Sequence, residues 1–308
     1  MKENTLLGKP KNPFENLISQ KPMYHTEWGS AYCEDSLKLM KKIPDASINL
    51  IITSPPYALV FKKEYGNVDA KDYVNWFMPF ADEFLRILKE DGSLIIDIGG
   101  SWNRGAPTRS LYQFELLIRL AKKFHLAQEF YWYNPAKLPS PAEWVTVRRI
   151  RVKDAVETVW WLAKSEYPKA NNRNVLKPYS KDMQRLLTNG YHTKKRPSGH
   201  NITEGFSKDN DGSIPPNILS IGNNDSNSDY LKKCRLHGLK VHPARFPKEL
   251  PEFFVKFLTE RNDTVFDPFC GSNVTGFAAE ENKRKWIGCD NVKEYLEGSK
   301  FRFSNTYI

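Results

Sequence analysis

Ile48-Asn49-Leu50-Ile51-Ile52-Thr53-Ser54-Pro55-Pro56-Tyr57 is the stretch on which the architecture turns. Its first six residues form a nearly unbroken apolar run, the pattern of a strand buried on both faces. Pro55 and Pro56 remove two successive N–H donors, so no ladder can continue past Thr53 and the chain must turn out of the sheet. Open α/β sheets bind ligands outside the carboxyl ends of their strands. Ser54 and Tyr57 therefore stand where chemistry is expected.

Outward from this strand, further short apolar runs occur at Gly29–Cys33, Ser93–Ile98, Glu129–Tyr133, Ala155–Ala163, Thr264–Asp267 and Lys285–Cys289. Helical periodicity fills Asp72–Lys89, Ser110–Lys123, Pro247–Leu258, Thr275–Lys283 and Lys293–Phe303, and Pro79 is expected to kink or split the first of these. Runs alternating with helices predict an α/β fold, a largely parallel sheet of seven strands covered by helices.

The chain has 308 residues and carries 46 Lys and Arg against 36 Asp and Glu, a formal charge of +10. Residues 163–240 hold 14 Lys or Arg against 7 Asp or Glu, so most of that excess sits in one polar segment that lacks strand alternation. Long inserted loops are more often functional than idle, and concentrated positive charge favours a polyanion. The expected organisation is a tail over 1–23, one half of the main domain over 24–164, a nucleic-acid-reading insertion over 165–240, and the other half over 241–308. Cys33, Cys234, Cys270 and Cys289 show neither metal-ligand nor disulfide spacing, so no metal is expected. No membrane-length apolar run or signal-peptide core is visible, which predicts a cytoplasmic protein without a membrane partner.

The residue types around the turn suit a particular reaction. An amine attached to an aromatic base is a poor nucleophile, because its lone pair is delocalised into the ring. Two acceptors aimed at its hydrogens localise that lone pair. The Ser54 hydroxyl can be one, and the Pro55 carbonyl, left without a ladder partner, the other. Tyr57 offers a flat face to a base extruded from its stack. Asp97 ends Leu94-Ile95-Ile96-Asp97 and is expected near the same crevice, as a proton acceptor through Ser54 or water or as a loop-tethering residue.

A second constellation lies at Thr264-Val-Phe-Asp-Pro-Phe-Cys-Gly-Ser-Asn-Val-Thr-Gly276, which reads as strand, tight loop and helix start. Gly271 permits close backbone approach, and Ser272 and Thr275 are candidate helix caps. Asp290 ends the following strand, where an acidic side chain can receive ribose hydroxyls.

Thr53-Ser-Pro-Pro-Tyr57 resembles the [S/D/N]-P-P-[Y/F] motif of amino-methyltransferases acting on nucleic acid, with the leading Ser typical of the cytosine-N4 group. Asp267 to Thr275 resembles their D-P-F-x-G-S-G-x-T motif, departing at Asn273, where glycine is common; Asn tolerates positive φ. The order of catalytic motif, basic insertion and cofactor loop resembles the permuted beta group of these enzymes. That likeness implies a Rossmann-like seven-stranded methyltransferase sheet, circularly permuted, with an inserted target-recognition domain. It also implies S-adenosyl-L-methionine as cofactor, contacted through Asp35, Thr53, His242, Asp267, Phe269, Gly271, Ser272, Asn273 and Asp290. The catalytic set would be Ser54, Pro55, Pro56, Tyr57 and Asp97. The implied activity is methylation of N4 of a flipped-out cytosine in double-stranded DNA, with adenine N6 as the alternative. The implied setting is a restriction–modification system with a cognate endonuclease and no obligate protein partner.

Overall fold

The structure is a computed structural model, and it describes residues 11–60, 66–190, 208–223 and 228–303. The chain divides into two compact units. The larger comprises 1–170 and 217–308; the smaller is Asn171–Pro216. The smaller unit is thus narrower than the 165–240 segment expected from composition. Residues 217–240 fold with the larger unit, because Ile218 and Leu219 are apolar enough to pair at a sheet edge.

In the larger unit, strands β1 (Tyr24–His25), β2 (Gly29–Cys33), β3 (Ile48–Thr53), β4 (Leu88–Ile98), β5 (His125–Tyr133), β6 (Val156–Ala163), β7 (Ile218–Ser220), β8 (Thr264–Asp267) and β9 (Lys285–Asp290) form one sheet. Their order is β1-β2-β9-β8-β3-β4-β6-β5-β7. All seven expected strands are present. Among the described residues β1 and β7 extend the sheet at its two edges; they are two and three residues long, too short to carry a legible period of two.

Among the described residues six helices pack this sheet. On one face lie α1 (Ser36–Met40), α2 (Tyr73–Ile87) and α3 (Tyr112–Leu120), whose Leu39, Phe77, Phe84 and Leu116 join Ile48 and Ile51 in a buried cluster. In the smaller unit α4 (Lys181–Asn189) follows Ser180, whose hydroxyl accepts from Met183 N. Back in the larger unit come α5 (Asp229–Leu236), α6 (Glu249–Leu258), α7 (Val274–Glu281) and α8 (Lys293–Ser299). Residues of α6, α7 and α8 (Phe254, Leu258, Ala279 and Leu296 among them) meet Leu50, Ile52 and Trp286 on the opposite face. β3 thus buries both its faces, as its composition requires.

Two expectations need correction. Pro79 does not split α2, which runs unbroken from Tyr73 to Ile87. The carbonyl that Pro79 cannot serve belongs to Asn75, and neither residue is buried, so water can satisfy it. Nor is 11–23 a free tail: Phe14 and Ile18, one helical turn apart, are buried in the α1–α2 cluster.

The strand directions place the site. β2, β9, β8, β3 and β4 run parallel, while β6 is antiparallel to β4 and β5 antiparallel to β6. The carboxyl ends of β2, β3, β4, β5, β8 and β9 therefore share one edge of the sheet with the amino end of β6.

Candidate active site

Ser54 leaves the end of β3 at the diproline turn, and Asn67 Nδ2 anchors that turn by donating to the Tyr57 carbonyl at 2.6 Å. Ser54 Oγ donates to Tyr57 Oη at 3.2 Å. Tyr57 Oη in turn lies 2.8 Å from Glu157 Oε2 and 3.3 Å from Asp97 Oδ2. Lys137 Nζ pairs with the other Glu157 oxygen at 2.6 Å. Among the described residues no hydrogen bond reaches the Pro55 carbonyl, which is the state expected of it.

Asp97 is buried at the end of β4. Burial, and then the nearby Glu157 charge, hold its carboxyl well above the usual carboxylate range, against the opposing pull of the Tyr57 hydrogen bond. Asp97 stands in the same crevice as Ser54, as its position predicted, with Oδ2 within hydrogen-bond reach of Tyr57 Oη. Burial likewise pushes the Tyr57 hydroxyl well above its ordinary value, so it keeps its proton.

The glycine-bearing bend after β8 is held from within. Asp267 accepts from Thr275 Oγ1 at 2.6 Å and from Phe269 N at 3.1 Å, and burial raises its carboxyl to about 7. Asn273, not Ser272 or Thr275, caps α7: it adopts φ +54°, and its Oδ1 accepts from Gly276 N at 3.1 Å. The Thr275 hydroxyl is committed to Asp267, and Ser272 is engaged by Arg302 through its carbonyl at 2.7 Å and its hydroxyl at 3.2 Å. Gly271 has φ +50°, and a Cβ there would fall 2.9 Å from the His242 ring. That ring packs edge-on to Tyr295 with centroids 4.6 Å apart, and burial lowers its pKa to about 4, so it is neutral.

Asp290 closes β9 with one oxygen on Gly271 N at 2.8 Å and the other on Val292 N at 2.9 Å. A carboxylate has about four lone-pair directions, so two remain for a ligand. Phe269 packs on Phe80 and Trp76, with centroids 5.1 and 6.1 Å away, to make an aromatic wall. Asp35 caps α1 by accepting from Lys38 N at 3.0 Å.

A single cavity of about 760 Å³ joins the two halves. Ser54, Pro55, Pro56, Tyr57 and Asp97 line it together with Asp35, His242, Phe269, Ser272 and Asp290. Thr53, Asp267, Gly271 and Asn273 stand behind this lining rather than in it, and the last three shape the bend. Sequence reasoning gave no role to Glu157, Lys137, Trp76 or Phe80, which also line the cavity. Glu157 begins a strand rather than ending one, so only the antiparallel direction of β6 could have located it. Among the described residues no cluster of His, Cys, Asp or Glu could hold a metal ion, and no helix is long and apolar enough to cross a membrane.

A parallel-centred sheet that brings an acceptor-lined turn and a glycine-bearing bend into one cavity defines an S-adenosylmethionine-dependent methyltransferase fold. The chain belongs to the family of N6/N4 amino-methylating DNA methylases, whose family model, described as DNA methylase, matches residues 48–301. It is 53% identical over 296 residues to the type II methyltransferase M.PvuII of Proteus hauseri, covering 94% of this chain and 88% of that one. It is 26% identical to M.BamHI of Bacillus amyloliquefaciens, covering 93% of this chain and 61% of the relative. The solved PvuII DNA methyltransferase, described as cytosine-N4-specific, superposes with a TM-score of 0.76 at 47% identity, over 93% of this chain and 90% of that one. A Thermus thermophilus protein solved in complex with S-adenosyl-L-methionine shares the fold, with a TM-score of 0.55 at 19% identity over 90% of this chain and 93% of that one.

Proposed function

We propose that this enzyme moves a methyl group from S-adenosyl-L-methionine to N4 of a cytosine swung out of duplex DNA, and that it protects sites cut by a cognate endonuclease. The observation that carries this reading is the shared cavity, in which Ser54 and the unengaged Pro55 carbonyl face the same space as Asp290 and Phe269.

The residues present fit the cofactor. Asp290 retains lone pairs for ribose hydroxyls, Asp35 for an adenine amine, and the Phe269–Phe80–Trp76 wall is flat and apolar enough for a purine. A cavity of about 760 Å³ falls within the roughly 300–1,000 Å³ of small-molecule sites. When bound, the sulfonium supplies an activated methyl with its own leaving group, so the protein need only orient, desolvate and accept hydrogens.

The extruded base is held by its exocyclic amine. One N–H is received by Ser54 Oγ and the other by the Pro55 carbonyl, which localises the nitrogen lone pair. The Tyr57 ring supports the base plane. After transfer the nitrogen carries one proton too many; Ser54 Oγ takes it as it passes its own hydrogen to Tyr57 Oη, which passes its hydrogen to the Glu157 carboxylate, where the proton ends. Asn171–Pro216, with eight Lys or Arg against four Asp or Glu, is the proposed DNA-reading module. The cellular site of action is then the cytoplasm, with the chromosome.

Nucleoside analysis of plasmid from cells expressing the enzyme tests the reading. N4-methylcytosine is the expected product. N6-methyladenine alone would transfer the same geometry to the other amine and refute the base assignment.

A further inference from the structure

The Ser54 hydroxyl is an acceptor toward an amine only if its own hydrogen is committed elsewhere. The side chains around Tyr57 decide where that hydrogen goes. Tyr57 Oη has one hydrogen to give, and its nearest acceptor is Glu157 Oε2 at 2.8 Å, against 3.3 Å to Asp97 Oδ2. Lys137 Nζ, 2.6 Å from Glu157 Oε1, holds that carboxylate as an acceptor. Once the Tyr57 hydrogen is given to Glu157, the phenol oxygen has its lone pairs to fill. Ser54 Oγ–H fills one of them from 3.2 Å. The polarity of this chain then runs from Ser54 through Tyr57 to Glu157.

We propose that Glu157, anchored by Lys137, is a specificity-determining positioning residue: acting through Tyr57, it locks Ser54 as an acceptor-only group and so admits a base with an exocyclic amine while rejecting one with a carbonyl in its place. This rests on the amino-methyltransferase reading and deepens it. A 4-amino pyrimidine offers hydrogens to Ser54. A 4-keto pyrimidine sets lone pair against lone pair in a buried place, and sites built around a hydrogen bond discriminate strongly against such analogues. In E157Q the amide can donate to Tyr57 Oη, which reverses the chain and frees the Ser54 hydrogen to turn toward the ligand.

The test uses the full-length enzyme and a duplex bearing the sequence at which its own methylation is mapped, with either cytosine or deoxyuridine at the target position. Binding is measured with S-adenosylhomocysteine present, so that no turnover occurs. The wild-type enzyme is expected to prefer the cytosine duplex by tenfold or more, after correction for the ease of opening a G·U pair measured with a neighbouring mispair. E157Q is expected to bring that ratio to within threefold of unity. Its kcat should fall about a hundredfold, while KM for S-adenosylmethionine stays within twofold. Y57F, which keeps the ring and breaks the chain at its middle, is expected to lose the same discrimination and carries the test should E157Q not fold. If both variants keep the wild-type ratio, the assignment to Glu157 is overturned while the methyltransferase reading stands. If wild-type enzyme methylates no exocyclic amine, that reading itself fails, whatever the ratio.

Discussion

Gly271→Ala probes the join between the two halves of the cavity. At φ +50° the new residue would sit in the left-handed region, which costs an L-residue roughly 1–2 kcal/mol. Its Cβ would also stand 2.9 Å from the His242 ring. The ring cannot swing freely away, because it is packed against Tyr295. Overpacking of this kind costs about 1–3 kcal/mol, so the sum is roughly 2–5 kcal/mol. At about 2 °C per kcal/mol for a chain of this size, the thermal midpoint should fall by about 4–10 °C. Gly271 N also holds Asp290 Oδ2, so a displaced bend disturbs the carboxylate that faces the cofactor. Calorimetric titration with S-adenosylmethionine should therefore show affinity reduced at least tenfold. Gly105→Ala is the control: φ there is +74°, but nothing lies within 4 Å of its added Cβ, so it carries the conformational cost alone. Equal midpoints and equal cofactor affinity for the two variants would refute the close approach of His242 to the bend.

Asp267 should make stability depend on pH. Burial raises its folded-state value to about 7 from 3.8, so the folded chain holds the proton more tightly. Its contribution is fully present below the unfolded value and is lost as pH rises through about 7. The span is about 4 kcal/mol at 1.36 kcal/mol per pKa unit. Denaturant midpoints for Asp267→Asn, which cannot ionise, should thus fall less than those of wild type between pH 5 and pH 8.5; parallel curves would contradict this. In the smaller unit, Arg173, Lys177, Lys181 and Arg185 are all exposed. Replacing all four by Glu should weaken duplex binding and flatten its dependence on salt, by up to about 0.9 in the log–log slope for each lost phosphate contact. Cofactor affinity, measured without DNA, should not change. An unaltered salt slope would move the DNA-reading surface elsewhere.

Much of the fold was legible because its central elements are locally unambiguous. Ile48–Thr53 has no polar face to expose, and two prolines end it, so both the strand and the exit of Ser54 followed from the residues. The bend after Asp267 was legible for a similar reason, with Asn273 tolerating the αL conformation that the turn demands. Its capping was misread because Thr275 has two partners within reach in sequence, the helix start and Asp267, and only the folded geometry gives it to Asp267. Pro79 misled because a helix break depends on whether the orphaned carbonyl can reach water, a property of the packed face rather than of the residue. Ile218–Ser220 lay in a stretch whose composition reads as loop, and its pairing with β5 is wholly long-range. Glu157 and Lys137 were invisible for a deeper reason. Glu157 stands at the start of β6, and only the reversal of that strand brings it to the edge where β2, β3, β4, β5, β8 and β9 end; Lys137 lies in the loop after β5 and matters through Glu157.

The central claim is that acceptors at the diproline turn activate an amine beside a separately held methyl donor. Single-turnover methyl transfer by Ser54→Ala, measured together with its cofactor and DNA affinities, tests this most directly. Loss of one preorganised hydrogen bond that matters in the transition state costs about 3–4 kcal/mol, so the rate should fall a hundredfold or more while both affinities stay within about threefold. Transfer at the wild-type rate would contradict the account.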